Sequence, residues 1–140
     1  MTWSIGLEDR GIVVTGGTGG IGKAIAGQFA AAGARVCVVD LDRADAAAVV
    51  AGLDRPARHL SVGVDLRDLT THQATLEAAL DAFGRFDVLV HAAAVLRRRA
   101  SVEDVTEEDW DTQLDTNLKA TFSLTVKRPV SCARKGTGGA

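Results

Sequence analysis

Thr15-Gly16-Gly17-Thr18-Gly19-Gly20-Ile21-Gly22 decides how the rest of the chain is read. An apolar run, Gly11 to Gly16 (GIVVTG), leads into it, and Ile21, Ile25 and Phe29 leave it at helical spacing. The stretch therefore predicts a buried strand, a glycine turn and a helix that Gly33 ends. A helix N-terminus carries unpaired N–H groups and the positive end of the peptide dipoles. Where glycine removes the side chains, those N–H groups can meet a diphosphate at close range. The same residues would also serve a tight strand-to-helix turn packed on a sheet. The flanking strand and helix weigh toward the diphosphate seat.

Outward from the turn, strands and helices alternate. Arg35 to Asp40 (RVCVVD) predicts a second strand, and Asp42 with Asp45 frames a helix start followed by Ala46, Val49, Val50 and Leu53. Arg55-Pro56 closes that segment, and Leu60 to Val64 predicts a third strand that leads to Asp65. Leu69, Leu76, Leu80 and Phe83 mark a helix stopped at Gly84, and Phe86 to His91 (FDVLVH) predicts a fourth strand. Past a loop with Arg97, Arg98 and Arg99, Thr106 and Asp109 frame another helix start, with Trp110, Leu114, Leu118 and Phe122 as its apolar stripe. This alternation predicts βαβ units, right-handed crossovers and a parallel sheet.

Bulk properties bound the function. At 140 residues the chain suits one domain, and a formal net charge of −2 gives no global field for nucleic acid or a membrane surface. No apolar run is long enough to span a bilayer, and Met1 to Arg10 does not read as a secretory signal. Cys37 and Cys132 fit no metal or redox spacing, so no metal site and a reduced, cytoplasmic setting are expected.

Threonine, glycine, three residues, then Gly20-Ile21-Gly22 resembles the signature of the short-chain dehydrogenase/reductase family. The resemblance runs from Leu7 to about Thr125. It implies an α/β fold, a Rossmann-like doubly wound parallel sheet of about four strands in the order 3-2-1-4 with flanking helices, incomplete beside the full family fold. It implies NAD(P)-dependent oxidoreductase chemistry between an alcohol and a carbonyl, with Gly16, Gly20 and Gly22 as the motif glycines. Thr15, Thr18 and Ile21 join them as expected cofactor-binding residues.

Other positions carry the resemblance further. Asp40 ends the second strand, where a carboxylate can accept both ribose hydroxyls of NAD and would repel the 2′-phosphate of NADP; it also fits an ordinary strand-end turn. Leu41 follows it in the expected site. Asp65 matches the family's acceptor for the adenine amino group, with Leu66 beside the ring, and it also fits an N-cap for the helix near Asp68. His91-Ala92-Ala93-Ala94 stands where the family has Asn-Asn-Ala-Gly. Ala92 and Ala93 keep the small surface a ribose needs, and His91 is expected as a brace between strands or core, with a proton carrier as the alternative. Asn117 shares the expected inward face of Trp110 and Leu114, and it matches the family's catalytic asparagine, which opens its helix locally and holds a water of a proton relay; it also fits a core asparagine with its hydrogen bonds satisfied.

The family's tyrosine, its lysine four residues on and its serine have no counterparts, because the chain has no tyrosine. Lys119 and Lys127 fall in the wrong segment, and Ser123 and Ser131 precede the strand that would carry the serine. Residues 1–126 read as a partial dinucleotide-binding domain. Residues 127–140 read as an irregular basic tail, with Pro129 breaking the helix and Gly136 to Ala140 like the turn before a fifth strand. The expectation is a truncated member, inactive alone, that binds NAD; a non-catalytic dinucleotide-binding module and a remnant are the alternatives. The fourth strand would form a bare edge and the last helix an open apolar face, so self-association or a homo-oligomer is expected.

Overall fold

A computed structural model describes residues 6–127. The expected tail beyond Lys127, with Pro129 and the Gly136 to Ala140 turn, lies outside the described residues. Among the described residues, four strands, β1 (Gly11–Thr15), β2 (Arg35–Asp40), β3 (Leu60–Gly63) and β4 (Val88–His91), form one parallel sheet in the order β3-β2-β1-β4. Helices α1 (Gly20–Ala31), α2 (Arg43–Ala51) and α3 (His72–Phe83) make the crossovers. After β4 come α4 (Glu107–Leu114), a π-turn (Asp115–Lys119) and α5 (Ala120–Val126).

The central strands are apolar on both faces because both faces are covered. Ile12, Val14, Val36 and Val38 pack with Ala26, Ala30, Ala46 and Val49 of α1 and α2. Val13, Cys37 and Val39 point the other way, against Leu76, Ala79 and Phe83 of α3 and Ala120 and Leu124 of α5. Burial pushes the Cys37 thiol up to about 12, so it is an inert core residue.

The glycine-flanked helix lies where the spacing placed it, but its inward face differs. Gly22, Ala26 and Ala30 are buried, while Ile21 is 75% exposed. Ile25 and Phe29 only flank the core, beside Leu7. Three small residues let α1 approach the sheet more closely than isoleucine and phenylalanine would allow. A second difference concerns the last helical stretch. Trp110, Leu114, Leu118 and Phe122 are exposed, and the side facing the sheet is Thr116, Ala120, Ser123 and Leu124. Asn117 is exposed with the stripe, not turned inward as the spacing suggested.

Polar braces tie the amino edge of the sheet. Asp87, just before β4, accepts the Gly11 amide of β1 at 2.8 Å and pairs with Arg85 and Arg10. The Arg85 guanidinium holds its carboxyl down to about 2. On the other face, buried His72 of α3 meets Ser123 of α5 through Nδ1 at 3.0 Å and the Leu66 carbonyl through Nε2 at 2.8 Å.

Candidate functional site

The carboxyl ends of all four strands open into a groove of about 420 Å³, within the usual range for small-molecule sites. Gly16, Thr18 and Gly19 form its floor after β1, with Asp40 and Leu41 after β2. Val64, Asp65, Leu66 and Arg67 close the β3 side, and Ala92, Ala93, Ala94, Val95 and Arg97 the β4 side, with Thr112 and Thr116 behind them.

The three motif glycines do different work. Gly16 has a φ of +65°, and a Cβ there would lie 2.5 Å from the Ala93 backbone. A Cβ on Gly22 would stand 2.1 Å from the Gly16 carbonyl oxygen. Both are needed by the fold itself. A Cβ on Gly20 would meet no atom within 4 Å, so packing gives no reason for glycine at that position.

Gly20 opens α1, whose N-cap, Gly19, has no side chain to cap it and whose first turn has no acidic residue. Elsewhere side chains fill that role. Asp42 accepts the Ala44 and Asp45 amides at the start of α2, and Thr106 and Asp109 form a reciprocal capping box at the start of α4. The start of α1 thus keeps its N–H groups and positive dipole end available to an anion.

Asp40 is held by the turn. Its Oδ2 accepts both the Thr18 amide, at 3.0 Å, and the Thr18 hydroxyl, at 2.7 Å, while Oδ1 accepts the Leu41 amide at 2.8 Å. One acceptor site stays open on Oδ1, and rotation of the Thr18 hydroxyl would release a second.

Asp65 is clasped by Arg67, whose Nη2 lies 2.6 Å from Oδ2 and whose Nε lies 3.0 Å from Oδ1. The Arg67 guanidinium holds the Asp65 carboxyl below the usual carboxylate range. The next helical turn is capped by Asp68, which accepts the Thr70 amide, and not by Asp65. Arg67 had no signal in the sequence beyond a charge two residues from Asp65.

Thr15 lies beneath the groove, fully buried, and pairs with His91 across β1 and β4. Its Oγ1 meets His91 Nδ1 at 3.0 Å, and the Ala93 amide points to the same oxygen at 3.4 Å. His91 therefore bridges the two strands. Its Nε2 is buried without a partner at hydrogen-bond geometry, and burial lowers its pKa below the usual histidine range against the opposing Thr116 backbone.

Asn117 stands behind the β4 wall at the π-turn. Its Oδ1 accepts the Val95 amide at 2.8 Å and its Nδ2 donates to the Val95 carbonyl at 2.9 Å. The helix is opened there, as a π-turn does at functional sites. Of the expected site residues, Gly16, Thr18, Asp40, Leu41, Asp65, Leu66, Ala92 and Ala93 share the groove. Thr15 and Asn117 support it from outside the lining, and Gly20, Ile21 and Gly22 begin α1 beside it.

Known proteins share this fold. The sequence profile of the short chain dehydrogenase family matches residues 10–138. The D-threitol dehydrogenase of Mycolicibacterium smegmatis is 42% identical over 84% of this chain and 45% of its own length. The galactitol 2-dehydrogenase of Agrobacterium fabrum is 35% identical over 94% of this chain and 51% of its own. Among solved structures, a 3-ketoacyl-(acyl-carrier-protein) reductase from Brucella melitensis complexed with NADH superposes with a TM-score of 0.78 at 32% identity, covering 85% of this chain and 48% of that one. A short chain dehydrogenase from Burkholderia cenocepacia in complex with NADP gives 0.79 at 35% identity, over 85% of this chain and 49% of that one. The chain spans about half the length of the curated relatives it matches.

Proposed function

This chain belongs to the short-chain dehydrogenase family, and from that premise we propose that its groove binds the adenosine diphosphate portion of NAD. The uncapped start of α1 beside the groove carries this reading: it offers amides and a dipole to the diphosphate with no side chain in competition. Asp65 and Leu66 would flank the adenine, Asp40 would accept the adjoining ribose hydroxyls, and Gly20 would leave room for the phosphates. A negative Asp40 favours NAD over NADP, because a 2′-phosphate would meet its charge at close range.

When bound, the nicotinamide ring supplies hydride transfer between an alcohol and a carbonyl. That activity is proposed for a protein carrying the complete family fold. Within these 140 residues no tyrosine is present to move the substrate proton. The chain by itself is proposed to bind without turnover, its ligand-binding domain being residues 1–126. Self-association through the exposed stripe on α4 and α5 belongs to the same proposal.

Calorimetry with ADP-ribose tests the reading. The chain binds it, and binds 2′-phospho-ADP-ribose more weakly. Asp40→Ala weakens ADP-ribose by about tenfold or more, the loss of a charge-assisted hydrogen-bond pair. Equal affinity in the variant would remove Asp40 from the site, and no binding in the unsubstituted chain would end the nucleotide reading.

A further inference from the structure

Residues 94–99 follow β4, and side chains of α4 and the π-turn grip them at every second residue. Val95 is held through both its amide and its carbonyl by Asn117. The Arg97 amide donates to Gln113 Oε1 at 3.2 Å. The Arg99 guanidinium pairs twice with Asp109, at 2.7 Å to each carboxylate oxygen. Asp109, Gln113 and Asn117 follow one another at four-residue intervals, so they stack on one side of the helix. The alternation of the segment and the period of the helix coincide over three rungs, and the two run in opposite directions.

The held segment is a wall of the groove: Ala94, Val95 and Arg97 line it. β4 is the edge strand, so among the described residues no further strand supports this wall. Neighbouring strands lie roughly 4.8 Å apart, which puts the β3 and β4 walls about 14 Å from one another across the groove. An extended nucleotide with adenosine over β3 and β2 and phosphate at the start of α1 reaches the β4 wall only with the groups beyond its first phosphate.

We propose that Gln113 and the Arg99–Asp109 pair are positioning residues for the distal half of the nucleotide, fixing Ala94 to Arg97 as a wall ready for the second phosphate and its ribose. This rests on the nucleotide reading above and extends it to residues that touch no ligand themselves. The ladder acts only through the geometry of the wall, so its loss should be felt by a ligand that reaches β4 and not by one that stops at β1.

AMP and ADP-ribose separate the two cases. Gln113→Leu removes the acceptor of the Arg97 amide at nearly constant volume, and Gln113→Glu keeps that acceptor, while both lose the donation of Gln113 Nε2 to the Asp109 carbonyl. Calorimetry should show ADP-ribose weakened roughly three- to tenfold in Gln113→Leu, the scale of one neutral hydrogen bond. AMP affinity stays unchanged, and Gln113→Glu retains the affinity of the unsubstituted chain for ADP-ribose. Arg99→Leu, which leaves the Thr106–Asp109 capping box intact, reproduces the split. Equal loss for AMP and ADP-ribose, or no loss for either, would overturn the proposal. Binding of neither ligand by the unsubstituted chain would remove the nucleotide reading, and this one with it.

Discussion

At the scale of single residues, the three motif glycines separate folding from binding. Gly22 is glycine because the Gly16 carbonyl leaves no space for a methyl group. Alanine there forces backbone apart and should lower stability by about 1–3 kcal/mol, as overpacking does. Gly20 faces open space at the first position of α1. Alanine there should leave stability unchanged or slightly raised, since alanine is the better helix former. It should weaken ADP-ribose nonetheless, because the added methyl enters the space assigned to phosphate. Thermal melts and calorimetry on the two variants decide the matter. Gly20→Ala with full affinity would mean that this face of the turn meets no ligand.

At the scale of elements, the helical stretch from α4 through the π-turn to α5 carries two stripes at the same four-residue interval. The polar one, Asp109, Gln113 and Asn117, is committed to the segment after β4. The apolar one, Trp110, Leu114, Leu118, Phe122 and Val126, is between 38% and 68% exposed. Large apolar groups in one row on a surface mark an interface. The stripe should drive concentration-dependent association in sedimentation velocity, and Leu118→Glu with Phe122→Glu should return the chain to a monomer. A single monomeric species at high concentration in the unsubstituted chain would contradict this. Apolar periodicity made the stripe legible in the sequence. Its outward direction was expected only through the family resemblance, because a repeat of large residues looks the same whether a core or a partner covers it. The polar stripe has the same period and stayed unread as a stripe, since two of its three partners are backbone groups of a segment with no pattern of its own.

At the scale of the whole molecule, polar groups that tie α3 to α5 and β1 to β4 titrate, and so make stability depend on pH. Burial lowers the pKa of His72 and His91 below the usual histidine range. Unfolded, both take up a proton near pH 6.5. Their contribution is therefore complete above about pH 6.5 and falls as acid protonates the unfolded state first. Asp87, held down to about 2 by Arg85, adds a second loss that begins as pH drops below about 4. Urea midpoints should be lower at pH 5.5 than at pH 7.5, and His72→Asn should shrink the difference. A midpoint that does not move between those values would refute the assignment. No helix among the described residues is long and apolar enough to cross a membrane.

What the sequence determined by itself was the order of strands and helices, the parallel sheet and the glycine turn at its centre. Those come from hydrophobic period, glycine spacing and capping residues, which act between near neighbours along the chain. Tertiary structure alone decided which side of α1 faces the sheet and that Asn117 holds Val95 as one rung of a ladder. The physical reason is reach. Those contacts join a helix to strands, or a side chain to backbone, brought close only once the sheet has assembled, and residue type does not record where the main chain of another segment will pass.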